Sequence, residues 1–464
     1  MKKLINIFLL FILVFSISCT QKSNNDSDLI KYYQNYIEPE RDVAQKSVLQ
    51  LAVDPITTVR IGFIGLGHRG DKAIYRYTQL EGVEIKAICD LQQNYIDRAQ
   101  QQLIDNKLPI ADEYVGEDAW KKLCERDDLD LIYITTDWLS HTPMAVYAME
   151  KGKHVAIEVP AATTVQECWY LVNTAEKTQR HCMMLENCCY DFFELNTLNM
   201  AQQGVFGELV HGEAAYIHDL RRYNFAGEDD PEYHYVNMWR LGFNTKHTGN
   251  PYPTHGLGPI CQAFNIHRGD KMNYLVSVST NQFGMTEYAK QKFGEDSPEA
   301  TKDYQLGDMS TTIIRTEKGK TIMVQHDVTS PRPYSRHHVL SGTKGFAQKY
   351  PINGIALDPD SHNFLSKEEF DALMKQYEHP FIKEIGEKAK KVGGHGGMDF
   401  IMDYRLIYCL RNGLPLDQDV YDAAEWSCLV ELTEISARNG GQPLKIPDFT
   451  RGEWSRLNGL TFAK

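Results

Sequence analysis

The stretch that most constrains this chain is Gly65-Leu66-Gly67-His68-Arg69-Gly70. It directly follows the β-rich run Val59–Ile64 and leads into a helical pattern over Asp71–Leu80. Glycines at this spacing are common in isolation, but between a strand and a helix they meet the requirements of a dinucleotide loop. The first permits the tight turn, the second lets backbone approach a pyrophosphate, and the third allows close packing of helix on strand. The helix start then offers free N–H groups and the positive end of its dipole to phosphates. Asp90 closes the next strand, Val83–Cys89. An acid there accepts from a ribose 2′-hydroxyl and repels a 2′-phosphate, which favours NAD over NADP. The competing role for Asp90 is a cap on a helix over Asn94–Gln101.

Strand and helix patterns keep alternating beyond this point, with strands at Leu129–Ile134, His154–Ile157 and His181–Leu185 and helices at Pro143–Lys151 and Val165–Thr178. Alternation of this kind predicts right-handed βαβ units on a parallel sheet, hence a Rossmann domain over 58–188. After about Cys189 the pattern changes. Met272–Val278, Met309–Thr316, Lys320–Val328 and His338–Ser341 are strands with short connections, two of them joined by a hairpin at Glu317-Lys318-Gly319. These predict a second, α+β domain over 189–464 with a mostly antiparallel open sheet. Two late helices, Met398–Arg411 and Val420–Arg438, end at Gly413 and Asn439-Gly440. The fold class is therefore α/β with two domains.

Lys2 and Lys3 precede the apolar run Leu4–Ile17, which closes on Ser18-Cys19. The run is shorter than the roughly 20 residues a spanning helix needs, and its order is that of a secretory signal, here 1–18. A cysteine directly after it resembles a bacterial lipobox, although Ser16 stands where leucine is usual. The expectation is a lipid (palmitate) on Cys19, a membrane anchor in the cell envelope, periplasmic or surface-exposed, and a polar tether and N-terminal segment over 19–57, flexible at Thr20–Asp28. A cut elsewhere, leaving an unanchored secreted chain, is the alternative. Lys+Arg 49 against Asp+Glu 62 gives a net charge of −13, with no basic surplus for nucleic acid. The ten cysteines form no C-x-x-C pair, and neither H-x-x-x-H nor H-E-x-x-H occurs, so neither a disulfide scaffold nor a metal site is expected.

Two further strand ends face the same crevice. Thr135–His141 brings Trp138, Ser140 and His141 to it, and Glu158-Val159-Pro160 brings Glu158. Packing for Trp138 and helix capping by Ser140 or His141 are the competing roles. In the second half, Tyr252–Pro259 has the pattern of a loop feeding a helix. Proline fixes its start, and Gly256 and Gly258 leave room for close backbone approach. A histidine can take or release a proton near neutrality and a phenol can orient or donate, so His255 with Tyr252 is the candidate acid–base pair. A helix-start histidine satisfied by backbone is the alternative. Gly393–Gly397 lacks a preceding strand and reads as a flexible loop beside the pocket, with His395 a further candidate.

From about Val59 onward the chain resembles the glucose-fructose oxidoreductase / inositol dehydrogenase superfamily. Within it the chain resembles glycoside hydrolase family 109, the NAD-dependent α-N-acetylgalactosaminidases. The resemblance is carried by IGFIGLGHRG, TTDWLSH, EVP at Glu158–Pro160, MLEN ending at Asn187, AYIHDLR from Ala215, MWRLG around Arg240, NPYPTHGLGP from Asn250, PRPYSR around Tyr334 and GGHGGMD from Gly393. It implies that His68, Arg69, Asp90, Trp138, His141, Glu158, Val159 and Asn187 contact NAD, with Tyr252 at the nicotinamide end. It also implies that Tyr216, Arg240, Tyr252, Pro253, Thr254, His255 and Tyr334 line a sugar site. Arg240 would give directed donors to sugar hydroxyls or an acetamide oxygen, a surface ion pair being the alternative; Tyr216 and Tyr334 have packing as theirs. Many sugar dehydrogenases of the superfamily carry lysine where this chain has Val159, which argues against a simple alcohol dehydrogenase.

The activity implied is hydrolysis of terminal α-linked N-acetylgalactosamine from glycans, with oxidation at sugar C3, elimination, water addition and re-reduction giving retention. Outside the cytoplasm a renewable pool of oxidised cofactor is scarce, so NAD is expected to be tightly held and restored in each turnover. A periplasmic sugar oxidoreductase of the same superfamily is the alternative function, and a homo-oligomer is compatible with either.

Overall fold

The computed structural model describes residues 25–227, 230 and 235–462, so the expected signal segment and Cys19 lie outside the described residues. In the first half, β1 (Val59–Ile64), β2 (Val83–Asp90), β3 (Asp112–Val115), β4 (Leu131–Ile134), β5 (His154–Ile157) and β6 (Cys182–Met184) form one parallel sheet in the order β3-β2-β1-β4-β5-β6. Every residue of β4 and β5 is buried, as expected of strands covered by helices on both faces. The strand order reverses between β1 and β4, which opens a crevice at their C-terminal ends. Both Gly65–Gly70 and Thr135–His141 lie there. Helix Val165–Thr178 has the expected bounds, fixed at its start by a reciprocal Thr164/Glu167 capping box. The helix after β1 spans His68–Thr78 and so begins inside the glycine motif, before the expected Asp71.

The second sheet contains β7 (Leu209–Ile217), β8 (Met272–Ser279), β9 (Ser310–Thr316), β10 (Thr321–Asp327), β11 (Ser335–Gly342), β12 (Gly345–Gln348), β13 (Gly354–Leu357) and β14 (Leu444–Lys445). Its order is β13-β12-β11-β7-β10-β9-β8-β14, and only the β7–β10 pairing is parallel. Burial alternates along β9, so one sheet face packs inward and the other meets water. Helix Thr254–Ala263 lies on the inner face against β7 and β11. Gly256 makes that possible: a Cβ there would sit 2.7 Å from the Ala215 carbonyl oxygen of β7.

Two expectations need correction. The late helix over Val420–Arg438 is two helices, Val420–Ser427 and Leu429–Arg438. The interruption is Cys428, whose thiol donates to the Glu425 carbonyl at 3.1 Å and so competes with the backbone ladder. The N-terminal segment is also more than a polar tether. Asn25–Gln34 is a helix, and Tyr33, Tyr36 and Val48 belong to the main core. Trp169 Nε1 donates to Tyr36 Oη at 2.6 Å. Nearby Glu176, fully buried, accepts from Arg41 (2.9 Å), Arg451 (2.8 Å) and Tyr421 (2.7 Å), joining three distant parts of the chain at one carboxylate.

Candidate active site

The glycine loop divides its tasks as the spacing predicts. Gly65 has φ +88, and a Cβ there would stand 2.7 Å from the Thr135 carbonyl oxygen. Gly70 lies against the Gly65 carbonyl, where any side chain would collide. Gly67 faces open space and begins the helix with no side-chain cap, leaving its first N–H groups available. Gly65 and Gly67 line a cavity of about 540 Å³ together with His68, Arg69, Asp90 and Ser140. An uncapped helix start, a glycine that leaves the cavity open and an acid at the β2 end fit a dinucleotide.

Asp90 does not cap the following helix, whose N-cap is Gln92. Its carboxylate instead accepts from Leu66 N (2.7 Å) in the glycine loop and from Gln92 N (3.0 Å). Burial raises its pKa, partly countered by these backbone donors. Asp137 caps the helix Trp138–Glu150, accepting from Leu139 N and Ser140 N, while the Ser140 hydroxyl donates back to it at 2.7 Å. His141 is buried, with Nδ1 2.8 Å from the Pro160 carbonyl and Nε2 3.1 Å from that of Thr136. Both ring nitrogens meet backbone, so this histidine ties two strand-end loops together instead of facing the cavity. Burial holds its pKa below the ordinary value.

Arg69 joins the glycine loop to the rest of the site. Nε pairs with Glu158 at 2.8 Å and Nη1 with Asp399 at 3.3 Å. Asp399 also receives Asn187 Nδ2 and lies 2.9 Å from His395 Nδ1. Within Gly393–Gly397, His395–Gly397 is a 3-10 turn that His395 ties into the ion-pair cluster, not a free loop. Val159 is buried beside it.

The candidate acid–base pair sits at the start of helix Thr254–Ala263, where Pro253 is the N-cap and Thr254 is fully buried. His255 Nδ1 lies 2.9 Å from both carboxylate oxygens of Glu186, and Nε2 lies 3.5 Å from Tyr252 Oη. Glu186 is fully buried. Burial pushes its pKa up, but the His255 ring, with hydrogen bonds from Thr254 and Cys188 N, holds it below the usual carboxylate value. Gly258 allows the approach: a Cβ there would meet Glu186 Cγ at 2.9 Å. Sequence reasoning missed Glu186, although it is the acid in MLEN at the end of a wholly buried strand. With Cys188, these two residues form the one grouping of possible metal ligands among the described residues. Burial keeps the Cys188 thiol protonated, and it donates to Asn187 Oδ1 at 3.5 Å, so hydrogen bonding accounts for the arrangement.

Aromatic rings enclose the remaining space. Tyr252 stacks on Trp138 (centroids 5.7 Å apart) and leans on Tyr216 at 4.6 Å. The Arg240 guanidinium lies 4.9 Å from the Tyr252 ring centre and 5.0 Å from that of Trp138. Arg240 is 5% exposed, and no carboxylate pairs with it among the described residues, which excludes the surface ion pair. Nη1 donates to Tyr235 Oη at 3.3 Å, whereas Nε and Nη2 are buried with no acceptor. Unmatched buried donors on a caged guanidinium are suited to an oxygen-rich ligand. Tyr216 Oη meets His218 Nδ1 at 2.9 Å; burial and Arg240 pull the His218 pKa down to about 4. Tyr334, 38% exposed, sets its ring against His218 at 5.0 Å, at the mouth of this enclosure. Trp138 therefore packs between the two domains, touching Tyr252 and Trp239, and does not line the glycine-loop cavity.

Comparison with known proteins agrees with this architecture. Residues 190–456 match the glycosyl hydrolase 109 C-terminal domain, and residues 59–186 match the oxidoreductase-family NAD-binding Rossmann fold. The chain is 60% identical over 415 residues to a Bacteroides fragilis protein named alpha-N-acetylgalactosaminidase, covering 89% of this chain and 97% of that one. It is 53% identical over 440 residues to a Porphyromonas gingivalis glycosyl hydrolase family 109 protein, covering 92% of each. Levoglucosan dehydrogenase in complex with NADH shares the fold, with a TM-score of 0.63 at 15% identity, over 84% of this chain and all of that one.

Proposed function

The chain belongs to glycoside hydrolase family 109 and is an NAD-binding glycoside hydrolase; from that premise we propose that it removes terminal α-linked N-acetylgalactosamine from glycans. The carrying observation is the Glu186–His255–Tyr252 line, which ends against the Arg240 guanidinium with its unmatched donors. The alpha-N-acetylgalactosaminidase name of the 60% identical relative supports the choice of sugar.

In this proposal Gly67, the start of helix His68–Thr78, Asp90 and Arg69 hold NAD. When bound, NAD supplies a hydride acceptor at sugar C3 and returns the hydride at the end of turnover. Arg240 orients the sugar through its two free donors, while Tyr216, Tyr252 and Tyr334 enclose it. Glu186 occupies His255 Nδ1, so Nε2 is the nitrogen available to move a proton. With Tyr252 beside it, His255 removes the proton at sugar C2 as the glycosidic oxygen departs from C1. Water then adds to C1 from the face that oxygen left, its spare proton balancing the departed oxygen, and His255 returns the proton to C2, so the anomeric configuration is retained. The carboxylates Glu186 and Glu158 are already committed to His255 and Arg69. That disfavours the paired-carboxylate displacement of ordinary retaining glycosidases.

Reaction in D₂O tests the route. Deuterium at C2 of released N-acetylgalactosamine is expected. Product that keeps its substrate C2 proton, with no isotope effect from C2-deuterated substrate, would overturn it. Accumulation of an oxidised sugar would identify a sugar oxidoreductase instead.

We further propose that the chain is exported and anchored through a lipid on Cys19, supported by the Lys-apolar-Cys order of its start. Among the described residues no helix is long and apolar enough to cross a membrane. Mass spectrometry of the native N-terminus should find lipid-modified Cys19; an unmodified mature end elsewhere would refute it.

A further inference from the structure

The cofactor cavity has a further wall that comes from the second domain. Besides Gly67, His68 and Asp90 it is lined by Tyr235, Val236, Asn237 and Trp239, from the second-domain segment that enters helix Trp239–Lys246. The backbone of this segment is unusual. Asn237 and Met238 are consecutive, neither is glycine, and both lie in the left-handed region at φ 57 and 47. Such a pair persists only when its surroundings enforce it. Here the flanking rings do so. Tyr235 stands edge-on to His68 at 6.1 Å and packs on Trp239 at 5.2 Å, and Trp239 stands edge-on to Trp138 at 5.0 Å. Tyr235 Oη also accepts from Arg240 Nη1 at 3.3 Å. The segment is therefore pinned to the Rossmann side through Trp138 and to the sugar side through Arg240.

We propose that Tyr235–Trp239 is the retaining wall of the dinucleotide site, holding NAD in its groove and tightening further when a sugar engages Arg240. The inference rests on the NAD-binding reading of the groove. Its physical basis is geometric. A ligand lying along the glycine loop would pack against this segment, so the Tyr235–Trp239 contacts restrain its escape on that side. Sugar oxygens that take the unmatched Nε and Nη2 of Arg240 fix the guanidinium, and its Nη1 then fixes Tyr235.

The test is the NAD content and NAD release rate of purified wild-type protein, Trp239→Ala, Tyr235→Ala and Tyr235→Phe. Content is read by extraction after gel filtration. Release is read by exchange against isotope-labelled NAD, with and without free N-acetylgalactosamine, and melting temperatures verify folding. Trp239→Ala and Tyr235→Ala are expected to release NAD about tenfold faster or more, since each tenfold step corresponds to one modest contact. Two alanine variants are used so that poor folding of one leaves the other to decide. Tyr235→Phe should hold NAD but lose the slowing by sugar. Folded alanine variants that release NAD at the wild-type rate would overturn the wall. Wild-type protein that neither carries nor takes up NAD would overturn the cofactor reading and the wall together.

Discussion

Glu186→Gln isolates the member of the site least visible from outside. The change keeps the side-chain volume and one carbonyl oxygen but removes the charge that faces His255 Nδ1 from two oxygens at 2.9 Å. Ionised, Glu186 can only accept, so it fixes the proton on Nδ1 and leaves Nε2 as the lone-pair nitrogen toward Tyr252. It also stabilises the imidazolium formed as the base takes a proton. Hydrogen bonds to charged groups contribute about 1.5–3 kcal/mol. If that whole contribution is lost from the transition state, kcat falls about 10- to 150-fold at about 1.4 kcal/mol per factor of ten. Glu186 is fully buried beneath His255, so it does not reach the sugar and KM should change little. The Gln carbonyl can still accept from Cys188 N, now 3.0 Å from Oε1, which limits the cost to folding. The assay is kcat and KM for sugar release with NAD content matched, together with ¹⁵N-histidine NMR to locate the ring proton. A kcat within about twofold of wild type, with the proton still on Nδ1, would refute the positioning role.

Three other outcomes follow from the geometry. Asp90→Ala should weaken NAD retention and relax discrimination against NADP, measured by calorimetry with both dinucleotides; unchanged preference would move that role elsewhere. Burial pulls the pKa of His154 down to about 4 and those of His181, His326, His338 and His379 to about 3, against about 6.5 when unfolded. Their folded pKa values are depressed, so their stabilisation is fully present above pH 6.5 and is lost as pH falls toward 3–4, at up to about 1.4 kcal/mol per pH unit for each. A melting temperature that does not fall across this window would contradict the buried neutral state. Gly256→Ala should destabilise by about 1–3 kcal/mol, because the new methyl meets β7 backbone, which cannot yield as a side chain would. Chemical denaturation measures it, and a neutral result would mean that helix Thr254–Ala263 can move off the sheet.

The Rossmann half was legible because its signals are local. β1 and β5 are short, mostly apolar runs with the bounds the sequence predicts, and Val165–Thr178 carries its own capping box. The glycine loop declares its turn, its open position and its close contact within six residues. Much of the second sheet was not legible. β7 mixes His211, Gly212 and Glu213 with apolar residues, and β12, β13 and β14 are too short to show a period. The site divides in the same way. Asp90, Tyr252, His255 and Arg240 stand in motifs, whereas Glu186 acquires meaning only when the fold brings in a histidine 69 positions away. His141, read as a cofactor contact, proved to be committed to backbone because two strand-end loops converge on it.

Glu176 has a consequence for the order of events in biosynthesis. Its helix belongs to the Rossmann half, yet its partners include Tyr421 and Arg451, which leave the ribosome long after that half has been made. Until they arrive, the nascent cofactor-binding half has only Arg41, of the three donors, to satisfy a carboxylate that the finished protein buries in its core. Closure of this half around Glu176 therefore waits for the C-terminal segment that carries Tyr421 and Arg451. A nascent chain arrested before residue 421 should be digested by protease across Val165–Thr178, while the released full-length chain resists.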